Sequence, residues 1–468
     1  MDTTVPANLF AYIVLLSWPL VAIGFFVFLP PRWACAVTLV GGDMFLPPVL
    51  GIHFSGLPLV DKDLVVSISA ILGCLIIKPR AILGGDKVGR SYFALIPIMI
   101  VGLYLTVQTN PDSITAGRRV MPGLNLHDFL SMATHAVLYW WPAFFLGRKL
   151  FTKAEDLEVL CTVLAVGGLV YSLFIFVEIK MSPQFNRWVY GYFAASFDET
   201  MRGGGYRPTV FMRHGLTLAL FMLMSLLAAT GLARARIRLF GISSRWIAAY
   251  LALVFVACHS AGALVNAVVL VPSLIWMRAR SQARLATVMA ALVLLYPLLR
   301  FYDLIPVDSL VSFFTATLGA DRAGSLAFRL KNEGDLLRRA IERPWFGWGG
   351  WGRQFLYNPW GGLQSIVDGE WIAMLGYSGV VGFLSIFGLL ILPIFRFARK
   401  KLPRMVSRRD TILGSTVLLI SAAYVFDLLP NSGVAPYLMM TIGALAGVEV
   451  EGRPRYESPA GLDYEPVG

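Results

Sequence analysis

Apolar runs recur along the whole chain and constrain its fold more than any other feature. Segments 9–29, 64–77, 92–108, 128–147, 157–178, 209–231, 285–300, 371–395, 410–428 and 433–448 are predominantly apolar. Crossing the hydrocarbon core of a bilayer takes roughly 20 apolar residues in a helix. Segments 33–50, 246–257 and 261–277 carry the same signal more weakly, interrupted by Gly, Pro or polar residues. The pattern predicts an all-α polytopic membrane protein with about 12 to 13 transmembrane helices, residues 1–448 forming a single transmembrane domain. Composition agrees: 15% of the residues are charged, against about 25% in a soluble domain.

The net charge of +12 would fit a nucleic-acid partner only if the basic residues formed a patch or stripe. Instead they fall in Lys78–Arg90, Arg148–Lys153, Arg234–Arg245, Arg278–Arg284 and Arg396–Arg409, short connections of the kind that stay on the cytoplasmic side. These alternate with 109–127, 179–208, 258–260, 301–370 and 429–432, which are therefore predicted to face outward. With thirteen spans the N-terminus lies outside and the C-terminus in the cytoplasm; with one fewer the N-terminal end flips. No nucleic-acid partner is expected. Contact with acidic lipids at the basic connections is a weaker reading of the same residues.

Cys35, Cys74, Cys161 and Cys258 stand singly in apolar stretches, with no CxxC or Cys/His spacing, so neither a metal nor a redox site is expected. The first segment lacks the basic leader and A-x-A end of a cleaved signal and reads as a retained span. Residues 449–468, rich in Glu, Pro, Gly and Tyr, read as a disordered cytoplasmic tail.

Two predicted outer connections, 179–208 and 301–370, are long, and long connections in compact proteins are usually functional. In 325-SLAFRLKNEGDLLRRAIERPWFGWGGWGRQF-355, Leu326, Leu330, Leu337 and Ile341 recur at helical spacing between Arg329, Lys331, Arg338 and Arg339. Pro344 should end that helix, ahead of Trp345, Phe346, Trp348 and Trp351 set among glycines. A basic amphipathic helix with terminal aromatics belongs in the membrane interface. It is either an anchor or a holder of an anionic lipid headgroup. In 196-SFDETMRGGGYRPTVFMRHGLTLALF-221, Arg202, Arg207, Arg213 and His214 crowd the entrance to a span. A lone Arg there normally snorkels to the interface. Arg213 and His214 have no neutralising neighbours in sequence, and intramembrane ionisable residues mark functional sites by default.

In this order, the features resemble the O-antigen ligase and O-antigen polymerase superfamily of bacterial envelope proteins. Three patterns over roughly residues 200–400 carry the resemblance. The segment 204-GGYRPTVFMRHGLTLAL-220 is similar to the family's Gly–Phe–x–x–Pro/His–x–x–small entry into a span. The segment 338-RRAIERPWFGWGGWG-352 is similar to its helix ending P-[LIW]-[FL]-G-x-G-x-G. The stretch 368-DGEWIAMLGYSGVVG-382 aligns without a gap to its His-Asn-x-aromatic-Leu-x-x-Leu-x-Glu-x-Gly-Leu-[VI]-Gly. Asp368 stands where ligases carry His, Gly369 replaces the Asn, and 260-SAGA-263 has Ala261 in place of the family's Arg. These departures argue against a lipid-A-core ligase and leave a polymerase, or a member without activity.

The resemblance implies a GT-C-like fold and a metal-independent, cofactor-free glycosyltransferase in the bacterial inner membrane, its site facing the periplasm. The implied substrates are lipid-linked oligosaccharide donor and acceptor on an undecaprenyl pyrophosphate carrier. A chain-length regulator and a flippase of the same pathway are the implied protein partners, beside membrane lipids. Such a reaction needs cations on the leaving pyrophosphate, for which the fork of Arg is suited, and a general base at the acceptor hydroxyl. Asp368 is the first candidate base and His214 the second. Arg207, Arg213, Arg329, Arg338 and Arg343 are the candidate pyrophosphate or lipid-binding residues. Asp368 also reads as a helix N-cap, and a lone His is more often a structural hydrogen-bonder. Glu370, two residues on, points away from Asp368 on a helix and reads as a rim residue. Asp427 lines the same mouth or simply ends its helix. A glycan ligase is the alternative within the class, and a polysaccharide-precursor transporter or flippase the alternative outside it. Against transport, the unusual residues gather at one face and no internal repeat is evident.

Overall fold

The computed structural model describes residues 7–54, 58–84, 92–195, 200–202 and 205–450; most of the predicted tail and the glycines at 203 and 204 lie outside them. The described helices, in chain order, are α1 (Leu9–Phe28), α2 (Pro31–Phe45), α3 (Lys62–Ile77), α4 (Pro79–Leu83), α5 (Leu95–Gln108), α6 (Leu126–Leu150), α7 (Leu157–Met181), α8 (Phe185–Tyr190), α9 (Gly215–Arg234), α10 (Ser244–Val256), α11 (Ala261–Trp276), α12 (Ala279–Phe301), α13 (Val307–Leu318), α14 (Ala320–Ile341), α15 (Glu370–Arg396), α16 (Arg408–Asp427) and α17 (Pro436–Gly447). Each of the thirteen apolar segments is a helix. Seven are long and apolar enough to cross a membrane: α1, α6, α7, α9, α12, α15 and α16. The chain is thus a multi-pass helical membrane protein. The shorter apolar helices α5, α10, α11 and α17, with α2 and α3, pack among them.

α9 and α16 are the most enclosed spans, while α1 and α12 are the least. Small residues set the closest approaches, as expected where backbones pack without a hydrophobic driving force. A Cβ on Gly147 would lie 2.1 Å from the carbonyl oxygen of Met440, and one on Gly443 2.2 Å from that of Phe144, so α6 and α17 touch backbone to backbone.

The connections sort into two sets, one at each end of the bundle. At one end Asn8 bonds Val189, Val49 bonds Tyr192, Arg353 bonds Asp112 and Pro122, and Arg329 bonds Pro430. At the other end Arg32 pairs with Asp156, Arg409 with Glu158, Lys149 with Gly84, and Arg234 with Met277. The pairs whose partners both fall in the predicted connections agree with the division made by charge: Arg353 with Asp112 and Pro122 and Arg329 with Pro430 on one side, Lys149 with Gly84 on the other. The 301–370 segment is not a loop in the ordinary sense, since α13 and α14 pack together within it and α14 packs on α15. α14 ends at Ile341, three residues before Pro344. Its buried face centres on Leu336, Leu337 and Ala340, and Ile341 is exposed.

Candidate functional site

The segment after α14 enters α15. Gly379 interrupts that helix with φ 65° and ψ −166°, a conformation reserved for glycine. In an unbroken helix the amides of Val380 and Val381 would donate to the carbonyls of Gly376 and Tyr377. Instead Val380 N donates to Pro344 O (2.8 Å) and Val381 N to Trp345 O (3.2 Å), while Trp348 N and Gly349 N donate to Gly376 O (2.9 Å) and Tyr377 O (2.8 Å). Two helical hydrogen bonds are exchanged for four with the Pro-Trp-Phe-Gly-Trp-Gly segment, so the amides of Val380 and Val381 and the carbonyls of Gly376 and Tyr377 all keep partners at the break. The approach leaves no room for side chains: a Cβ on Gly379 would lie 2.4 Å from the carbonyl of Trp345, and one on Gly347 2.6 Å from Gly379 N. The C-terminal end of α5 locks the inserted segment, Thr106 Oγ1 donating to Phe346 O (2.6 Å) and Asn110 Nδ2 to Gly347 O (3.0 Å).

Above this joint, α15 begins against the turn that follows α16. The amide of Glu370 donates to Leu428 O (3.0 Å) and Asn431 O (3.1 Å), and its carboxylate Oε2 accepts from Gly433 N (2.9 Å). Gly369 has no space for a Cβ, which would lie 2.2 Å from Leu429 O. Glu370 is therefore buried, where the sequence placed it on the rim: α15 packs its first turn under the 428–433 turn. The helix cap is Gly369, without a side-chain bond, so Asp368 is not the N-cap that its position predicts. Its side chain turns to α14, with Oδ2 3.7 Å from Arg329 Nε. Arg329 Nη1 reaches Pro430 O at 3.5 Å. Both contacts are long for hydrogen bonds, so attraction of charge rather than close hydrogen bonding holds the guanidinium here. Asp427 is buried beside this pair, within electrostatic range of Arg329 and bonded to Asn431 Nδ2 (2.9 Å).

The remaining site candidates lie elsewhere. The turn leading into α9 is built on Glu178, a buried carboxylate that accepts from Phe185 N, Thr209 N and Val210 N at 3.1, 2.8 and 2.7 Å. α9 starts at Gly215, later than 209, because His214 caps it with Nδ1 accepting from Leu216 N (3.1 Å). Arg207 is buried, its side chain lying across Gly215, where a Cβ would fall 2.7 Å from Arg207 Cδ. Arg213 is exposed and faces Asp63 of α3. Arg338 is exposed and pairs only along its own helix with Asp335 in the described contacts. Arg343 donates to Thr109 O and sits 4.9 Å from the Trp348 ring centroid. Of the predicted set, the fold brings Asp368 and Arg329 into one pair. Tyr424 is buried behind the 428–433 turn, its hydroxyl donating to Gly433 O (3.1 Å) and accepting from Ala435 N (3.3 Å).

Three polar groupings were missed by sequence reasoning. Lys62 pairs with Asp43 (2.9 Å), both buried, at the start of α3; the Asp-Lys-Asp run at 61–63 was the available signal. Arg300 Nε bonds Glu333 Oε1 (2.6 Å), and Tyr296 Oη bonds the same oxygen (2.9 Å), joining α12 to α14. Arg353, almost fully buried, donates to Asp112 O (2.9 Å) and Pro122 O (2.6 Å). No local signal marks either of the last two. Among the described residues no group of three or more His, Cys, Asp or Glu side chains is placed to hold a metal ion.

Fold and site together define a multi-pass helical membrane protein with a folded connection plugged into a broken span. No protein-family model matches the sequence, and no curated protein matches it at a significant level.

Proposed function

We propose that the protein joins lipid-linked oligosaccharide repeat units into a polysaccharide at the outer face of a bacterial inner membrane. All thirteen apolar helices then cross the bilayer, the basic connections lie in the cytoplasm, and the 302–369 end faces outward. The observation that carries the reading is the Asp368–Arg329 pair, its side chains 29% and 32% exposed beside the buried Asp427, at the mouth formed by α14, α15 and the 428–433 turn.

In this reaction the Asp368 carboxylate takes the proton of the acceptor sugar hydroxyl as its oxygen bonds to the anomeric carbon of the donor. The bond from that carbon to the pyrophosphate oxygen breaks, and carrier pyrophosphate leaves with the electron pair. Arg329, partly exposed and held only by long contacts, is the cation that meets the negative charge developing on the leaving group. Arg213 is a further exposed cation, near Asp63 at the start of α3. A positioned base contributes ~10²–10⁴-fold to such a step.

A broken span with unwound backbone is otherwise a hallmark of transporters, whose half-helix ends face the substrate. Here the four backbone groups at the break are used by residues 344–349, which supports an enzyme over a carrier. The test is Asp368→Ala, Arg329→Ala and Arg213→Ala in the native bacterium, with polymer length and undecaprenyl-linked single units measured at matched protein levels. Accumulation of single units on the outer leaflet with loss of long polymer is expected for Asp368→Ala and Arg329→Ala. Unchanged polymer in all three refutes the site, and accumulation on the inner leaflet assigns the protein to transport.

A further inference from the structure

Beyond the proposed reaction, a second site lies on the lipid-facing side of the broken helix. A cavity of about 380 Å³, open along one side, is lined by Pro97, Ile98, Val101, Gly102 and Leu105 of α5, by Phe346 of the inserted segment and by Val381 just past the break. All lining groups are apolar. Ile98 and Val101 are about half exposed, so the groove opens outward from the bundle. It runs up α5 toward Thr109, whose carbonyl holds Arg343. Around Trp348 at that end gather three guanidiniums. Arg339 stacks on the ring at 3.4 Å from the centroid and Arg343 at 4.9 Å. Arg353 lies within repulsive electrostatic range of both.

Their compensation is incomplete. Glu342 pairs with Arg339 (2.6 Å) and is half-exposed, and Asp112 lies near Arg353. Among the described residues the Nε groups of Arg339 and Arg353 are buried donors with no acceptor, a costly arrangement for a charged group. Arg339 and Arg343, crowded by the buried charge of Arg353 and set at the head of a wholly apolar groove, complement a molecule with one hydrocarbon chain to bury and one anion to present.

We infer that this groove binds an anionic glycerophospholipid, one acyl chain along α5 against Phe346 and Val381 and the phosphate beside Arg343 and Arg339. The site is separate from Asp368. Arg339 lies ten residues along α14 from Arg329, about 15 Å at 1.5 Å per residue, and stacks on Trp348 while Arg329 lies at Asp368. The bound lipid would brace the joint between the inserted segment and α15 from the membrane side, where Phe346 and Val381 otherwise face the groove.

The test uses the full chain purified in neutral detergent, with thermal unfolding and native mass spectrometry in added phosphatidylglycerol, phosphatidylcholine or undecaprenyl phosphate. Phosphatidylglycerol should raise the unfolding midpoint more than phosphatidylcholine and remain bound one per chain. Val101→Trp, which fills the groove from its exposed side, should abolish the gain. Arg343→Gln should weaken apparent affinity for phosphatidylglycerol about tenfold, as for loss of one charge-assisted contact, and leave phosphatidylcholine unchanged. Equal gains from both phospholipids, or a full gain in Val101→Trp, overturn the inference. Displacement of phosphatidylglycerol by equimolar undecaprenyl phosphate also overturns it, assigning the groove to the carrier lipid.

Discussion

Gly379 shows how much can rest on one residue. Its φ of 65° with extended ψ is open to glycine alone, and an added Cβ would sit 2.4 Å from the Trp345 carbonyl. Gly379→Ala should therefore destabilise by at least the roughly 1–3 kcal/mol of such backbone strain, and expel residues 344–349 from the break. The check is the thermal unfolding midpoint in detergent, with Gly388→Ala as control, since a Cβ there meets nothing closer than 3.8 Å. An equal midpoint shift for the two variants would refute the insertion. Two glycines three residues apart, here Gly379 and Gly382, suggest by themselves a close approach of two helices. The approach is by an inserted strand of backbone, and its φ is what demands glycine. Asp368 and Glu370 also exchange their expected places: the first leaves the cap to face Arg329, and the second is buried under the 428–433 turn.

At the level of elements, α14 is the piece that positions Arg329, and it is tied to α12 through Arg300 and Glu333. Burial pushes the Glu333 carboxyl above its ordinary value of 4.5, against the opposing pull of Arg300. A carboxyl with a raised pKa holds its proton more firmly in the folded chain than in the unfolded one. The stability it contributes is therefore full below 4.5 and is lost as pH rises through the raised folded value. Local opening of α14, measured by hydrogen exchange in detergent, should increase over that pH range, and Glu333→Gln should flatten the dependence. A profile unchanged in the variant would remove Glu333 from the account. The amphipathic character of 325–341 was legible from its 3.6-residue period. Its docking on α12 was not, because Arg300 and Glu333 are far apart in sequence and each alone reads as an interfacial charge.

For the whole molecule, the partition of connections into two ends makes a prediction about sidedness. The native cysteines are all buried, so single exposed cysteines report cleanly. Trp360→Cys, at the end bearing the 302–369 segment, should label with an impermeant maleimide on intact spheroplasts. Val406→Cys, at the basic end, should label only after permeabilisation; both positions are well exposed. The reverse pattern would invert the orientation and withdraw the proposed reaction, which requires the Asp368 mouth to face outward.

What the sequence by itself determined is that each of the thirteen apolar runs forms a helix, seven of them long enough to cross a membrane, and a predicted alternation of the connections between two ends. Both follow from local quantities, the length of an apolar run against bilayer thickness and the placing of Lys and Arg in short connections. Tertiary structure alone decided that Pro344–Gly349 replaces two hydrogen bonds inside α15, that Arg353 is an internal clamp, and that Asp368 meets Arg329 while Arg338 and Arg343 lie elsewhere. Backbone donors and acceptors are the same at every non-proline residue, so nothing in a sequence marks which distant carbonyl an amide will choose. That choice is made by packing, once the helices have come together.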